Sequence, residues 1–391
     1  MNAFLNTLEK FLTWFFALSF GALAVFLVMR WNDQRTKSAD PWNKAQAANT
    51  QDAYVAFLRS CHGCSKESAA REALDALQRR EGLISRLAQE HLSERASISF
   101  PSFTPDAKTL LASGGDGPDF WDAETGKRKS LGPKTFQKLG NPALMSALDL
   151  SPAGHKVAAG TTGREGGRLL MWDLGQEAFI GEHEVEGFDV RQVQFAPDNN
   201  WLAWRGDGPV GVWNPAANKF FRANHQGVSD LAFLDAAGKH FLLTASGREL
   251  WFWEPTSLTL LKEGRVDSDR PLLGLTRDGR LILFSDGRVL EVWDTVTGRE
   301  AATLRDLAGE ITAFCRNLSS GHLLIGTSQG MVYFWDFLNS AVPYAHVAAH
   351  AGPVEMLRCG PENRLVSVGF DGAKVWGEER ILAPTAAGKA P

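Results

Sequence analysis

The sequence predicts an all-β ring of seven four-stranded sheets, preceded by one membrane-spanning helix and a short α-helical hairpin. Three observations carry that prediction. A short alternating strand ending in Trp-Asp, or a near variant, recurs seven times at intervals of about 41 residues. A Pro/Asp/Gly turn recurs in phase with it. The first thirty residues contain an uninterrupted apolar run.

The apolar run comes first in the chain. "FLTWFFALSFGALAVFLVM", residues 11–29, carries no charge and is bounded by Lys10 and Arg30. At about 1.5 Å per residue it matches the roughly 30 Å of a bilayer's hydrocarbon core. Trp14 and Trp31 stand where interfacial indoles lie. A cleaved signal peptide would have a shorter run and a small-x-small site after it, and neither is present. Residues 1–10 thus read as a short tail, 11–30 as an anchor helix and 31–39 as a linker. Arg30, Arg35, Lys37 and Lys44 follow the span and only Lys10 precedes it. The positive-inside rule then predicts a single-pass protein of a bacterial-type inner membrane, with the ring in the cytoplasm. The alternative is a periplasmic ring.

Residues 40–93 read as a helical hairpin. Asp40-Pro41 is an N-cap followed by Pro at the first helical position. Trp42, Ala45, Ala53, Tyr54, Phe57 and Leu58 fall at helical intervals. After "HGCSK", Ala70, Ala73, Leu74, Leu77, Ile84 and Leu87 form a second stripe. This arrangement resembles the tetratricopeptide-like hairpins of bacterial membrane-anchored proteins, with Cys61-His62-Gly63-Cys64 where a Pro-and-Gly turn is usual. Zinc needs two further ligands nearby, haem attachment needs His after the second Cys, and a thioredoxin-like motif needs a βαβ setting. All three contexts are missing. Four cysteines in 391 residues are not expected to form a disulfide framework, although an oxidising compartment would allow a local Cys61–Cys64 bridge.

The repeats occupy residues 97–385, leaving a tail at 386–391. The aromatic markers are Trp121, Trp172, Trp213, Trp253, Trp293, Trp335 and Trp376. The turns lie at 104–108, 151–155, 196–200, 235–239, 276–280, 318–322 and 360–364, each rich in residues that tolerate turn geometry. A four-stranded sheet cannot bury both faces alone, so two phased markers at this period signal sheets packed radially on one another. With these motifs the region resembles a seven-bladed WD40 β-propeller. The resemblance implies a rigid, non-enzymatic platform for protein partners. It also implies a structural hydrogen-bond tetrad in blade seven, formed by His350, Ser367, Asp371 and Trp376. "RILAP", residues 380–384, is placed to supply that blade's outer strand, so closure is expected within the blade's own sequence.

Function is sought in sites rather than in the fold. The chain beyond residue 96 carries a small net negative charge, which argues against nucleic acid as a partner. No P-loop, nucleophile elbow or His-Glu-x-x-His occurs. Asp189, Asp230 and Glu310 approach the ring centre from different blades without His partners, so neither a metal nor another cofactor is expected. Loops joining second to third strands carry Arg164, Arg168, Arg205, Arg248 and Arg288, with Phe370 in the same loop of blade seven. They are candidates for docking an acidic partner segment, since Arg and aromatic residues anchor interfaces. The reading is a membrane-anchored scaffold that recruits a protein through the ring. The alternative is a ring that binds or hydrolyses a small ligand in its central channel.

Overall fold

A computed structural model describes residues 40–87 and 98–382, apart from residues 62, 81, 115–116, 130–135, 137–143, 165, 224, 226 and 237. The expected tail, anchor and linker at 1–39 and the C-terminal tail lie outside the described residues. Among the described residues no helix is long and apolar enough to cross a membrane. The chain divides into two compact units, one ending at Leu77 and one beginning at Gln78.

The first unit is helical. The run predicted as one helix breaks at Asn49, which adopts a left-handed conformation (φ 45°), and Thr50 caps a new helix. The result is α1 (Pro41–Ala48), α2 (Gln51–Ser60) and the start of α3 (Glu67–Arg80). Asp40 accepts the amide of Trp42 at 2.8 Å, as its N-cap position requires. The Trp42 ring packs on Tyr54 and Phe57. Cys61 and Cys64 form a disulfide between α2 and α3.

The second unit is a seven-bladed propeller of four-stranded antiparallel sheets, strands β1–β28 in chain order. The first strands of the blades are β2 (Ser99–Phe103), β6 (Met145–Leu150), β10 (Gln192–Phe195), β14 (Asp230–Ala236), β18 (Leu272–Leu275), β22 (Ile311–Arg316) and β26 (Met356–Cys359). Each phased tryptophan lies on the third strand of its blade and is buried. Neighbouring blades share apolar cores. One, for example, joins Leu148 and Val157 of blade two to Leu111 and Phe120 of blade one. The predicted turns sit between first and second strands, and several are closed by short backbone bonds such as Gly154 N–H to Ser151 O at 2.8 Å.

Ring closure differs from the expectation. Residues 378–382 form a short helix, α4 (Glu378–Leu382), instead of the start of a strand. The outer strand of blade seven is β1 (Leu83–Arg86), from the stretch predicted as helical. It pairs antiparallel with β28 (Gly372–Gly377), placing Leu83 opposite Trp376 and Ser85 opposite Val375. Gly377 N–H to Gly82 O and Leu87 N–H to Ala373 O, both 3.0 Å, bracket the pairing. The physical reason is two-sided burial. Leu83 enters the core between blades six and seven, while Ile84 and Leu87 enter the core between blades seven and one. A spacing that looks helical in one dimension here serves a strand buried on both faces.

Candidate functional site: the central channel and the loop faces

The seven first strands surround a central channel with a cavity of about 640 Å3. All the blades contribute to its wall, and the charged groups come from only some of them. Arg277 approaches the fully buried Asp149 at 2.7 Å, and the same carboxylate accepts the Phe195 amide at 2.8 Å. Arg316 pairs with Asp278 at 2.6 Å. Asp230 accepts the amides of Leu275 (2.6 Å) and Leu231 (2.8 Å), and burial pushes its carboxyl above the usual range. Arg358 on β26 donates from Nε to the carbonyl of Pro101 at 3.1 Å, across the seam between blades seven and one. Its pKa falls to about 10, chiefly through desolvation and then through the nearby Arg277. Protein encloses Arg358, yet part of its surface stays open to the channel.

The three candidate acids do not converge. Asp230 reaches the channel, but the Asp189 carboxylate caps the Gly163 amide at 3.0 Å, and the Glu310 amide donates to Ser328 Oγ at 2.9 Å. Among the described residues no group of three or more His, Cys, Asp or Glu is placed to hold a metal ion. Sequence reasoning passed over Arg277, Arg316 and Arg358. The available signal was an arginine within or beside a short apolar first strand, as in "MLRC" and "ITAFCR". Cys315 and Cys359, not expected to belong to a disulfide framework, form a disulfide between β22 and β26 with Cα atoms 5.6 Å apart. Neighbouring first strands bring them together over 44 residues of sequence, a proximity that spacing alone does not reveal.

The predicted arginines are dispersed. Arg164 and Arg288 are exposed at loops between second and third strands. Arg248 pairs with Asp269 at 2.8 Å, and Arg168, inside its strand, approaches Glu182 at 3.3 Å. Arg205 turns toward the inner strand, where its Nε donates to Gln192 Oε1 at 2.8 Å and burial lowers its pKa. Arg191 bridges Asp189 and Asp207, and Arg270 contacts Asp286, so the arc is a mixed field rather than a cationic one. Phe370 is 45% exposed.

The predicted tetrad residues meet in one buried chain of hydrogen bonds. Trp376 Nε1 donates to Ser367 Oγ (2.8 Å), Ser367 Oγ meets His350 Nε2 (2.8 Å), and His350 Nδ1 meets Asp371 (2.5 Å). Burial keeps His350 below its usual pKa and therefore neutral. Burial also opposes the charge on Asp371, but His350, Lys374 and Arg86 outweigh it and hold the carboxyl well below the usual range. The set joins a loop to two strands and has no access to solvent, which suits a structural network.

On the opposite face, blade six presents an apolar surface that sequence reasoning missed. Leu318 (68% exposed) lies in the loop between first and second strands, and Leu338 (70%) and Val342 (63%) lie in the loop between third and fourth. Tyr344 links the two loops: its hydroxyl meets His322 Nδ1 at 2.8 Å and donates to the buried Glu378 at 3.0 Å. Leu318 also stands at the mouth of the channel.

No protein-family model matches the chain. Over 142 residues it is 30% identical to Periodic tryptophan protein 2 of Arabidopsis thaliana, a match taking in 34% of this chain and 16% of that protein. The chain thus spans about a sixth of the length of the curated relative it matches. Among solved structures, the β-propeller domain of Myceliophteria thermophila Cps50 (Swd1) superposes with a TM-score of 0.58 at 13% identity, over 74% of this chain and 98% of that one. The computationally designed Ika8 protein superposes with a TM-score of 0.53 at 19% identity, over 76% and 99%. At these identities the structures speak for the fold alone. The chain is a seven-bladed β-propeller similar to WD-repeat propellers.

Proposed function

We propose that this chain is a membrane-anchored, non-enzymatic scaffold whose propeller recruits a protein partner. The observation that carries the reading is the blade-six face. Leu318, Leu338 and Val342 are each more than three-fifths exposed on two loops tied together by Tyr344. Exposed aliphatic side chains on two linked loops of one blade edge are suited to anchor a protein contact. WD-like propellers are platforms of this kind, and the apolar run at residues 11–29 supplies the anchor. The arginine rim, with Arg164 and Arg288 as its exposed members, is the second docking surface.

We place the propeller on the oxidising side of the membrane, opposite to the side the positive-inside rule gives. The support is chemical: all four cysteines of the chain are paired, and protein disulfides persist where thiols are not kept reduced. In-cell crosslinking followed by detergent extraction tests both claims. The expected result is a stoichiometric partner that is lost from Leu318→Glu/Leu338→Glu and retained by Arg164→Glu/Arg288→Glu. The reverse pattern moves docking to the rim. A protein recovered alone at every crosslinker concentration refutes the scaffold. Cysteines that react with a permeant maleimide in unreduced cells refute the oxidising location.

A further inference from the structure

We propose that the central channel binds a small organic monocarboxylate. The carboxylate is forked on Arg358, and its apolar body lies against the channel wall. This inference is independent of the scaffold reading.

The argument begins with charge. Arg277 and Arg316 each have a carboxylate within 2.7 Å, Asp149 and Asp278 respectively. Asp230 spends its oxygens on two backbone amides, and burial raises its carboxyl above the usual range. Arg358 is different. Only its Nε is engaged, by the Pro101 carbonyl, and its two terminal nitrogens have no partner among the described residues. Asp149 and Asp230 act on it from a distance, but no carboxylate touches it, and a planar guanidinium with two free terminal groups fits a carboxylate in a two-point fork.

The sign and size of the ligand follow. One guanidinium fork with no carboxylate in contact matches one carboxylate. A phosphate dianion would bring two negative charges, close to Asp149, Asp230 and Asp278. The cavity of about 640 Å3 lies in the range that holds small organic ligands. Phe100, Leu275, Phe314 and Leu357 give the wall an apolar component suited to a hydrocarbon body. The site is also held in shape: the Cys315–Cys359 disulfide fixes β26 beside β22 at the residue following Arg358. A preformed fork avoids part of the ordering cost of binding.

The experiment uses the full chain in detergent, with hexanoate as probe, hexanamide as its neutral isostere and inorganic phosphate as the competing anion. Titration calorimetry is expected to give saturable one-to-one binding of hexanoate and none of hexanamide or phosphate. Arg358→Gln should weaken hexanoate at least about tenfold, the effect of losing a charged hydrogen-bonding partner. Arg358→Lys, which keeps the charge and loses the fork, should fall between. If the Arg358 variants fail to fold, the wild-type comparison still decides. Equal binding of hexanoate and hexanamide, phosphate binding in place of hexanoate, or absence of all three overturns the proposal. So does undiminished hexanoate binding by a folded Arg358→Gln.

Discussion

Removing β1 tests the ring closure most directly. Leu83, Ile84 and Leu87 are buried in two inter-blade cores. Burying an aliphatic side chain contributes about 1.5–3 kcal/mol, so the three together contribute about 5–9 kcal/mol as an upper estimate. That is comparable to the roughly 5–15 kcal/mol net stability of a typical domain. Deleting the strand also strips the outer edge of β28 of its backbone partners. A chain beginning at Gln78 should therefore melt cooperatively, and one beginning at Ile98 should melt at a clearly lower temperature. With an unfolding entropy of about 0.6 kcal/mol/K for some 300 residues, the loss corresponds to about 8–14 °C in Tm. Scanning calorimetry on the two truncations, beside a third ending at Glu379, is the assay. The third removes all of "RILAP" but keeps Glu378 and should be the milder change. If the Ile98 chain melts like the Gln78 chain while the Glu379 chain collapses, the closing strand is 380–384 and the argument from two-sided burial is wrong.

Other perturbations probe separate parts of the ring. Cys315→Ser opens a loop of 44 residues, for which the chain-entropy model gives about 4 kcal/mol, or about 6 °C in Tm. Dithiothreitol should lower the wild-type Tm by a similar amount and leave the variant unmoved, and a wild type insensitive to reductant would remove the disulfide from the stability of the ring. Ser367→Ala leaves the Trp376 indole N–H and His350 Nε2 unpaired in the core, at about 1–3 kcal/mol. A urea titration that finds no change would mean the tetrad contributes nothing. Acid sensitivity follows from the histidine. Burial puts the folded pKa of His350 below 6.5, so below that pH the unfolded chain takes up a proton that the folded chain does not. Stability should fall as pH drops below about 6.5, by at most about 1.4 kcal/mol per pH unit for this one proton. Asp371 acts in the same direction at lower pH: its depressed pKa gives stability that is present above its ordinary value of 3.8 and is lost on further acidification. Folded His350→Gln should show a shallower slope than the wild type in chemical denaturation at pH 7 and pH 5.5, with a remainder from the half-buried His183, and an identical slope in the variant refutes the assignment.

Much of the fold was legible along the chain. The phased tryptophans and turns are local features, set by strand alternation and by residues that tolerate tight turns, so they determined the number of blades and their register. The resemblance to WD repeats marked His350, Ser367, Asp371 and Trp376, which the packing of blade seven brings together. What the sequence could not determine depends on contacts between distant segments. Leu83, Ile84 and Leu87 fit a helical stripe as well as a strand, and only the vacant edge of β28 decides between them. Cys315 and Cys359 become partners because adjacent blades align their first strands, and Arg358 becomes an enclosed cation because seven strands close around it. The rim arginines show the converse. Repeat phase put all five in loops, but Arg168 and Arg205 lie within strands, and the ion pairs and the inward turn of Arg205 depend on neighbours from other strands and blades, which only tertiary packing supplies.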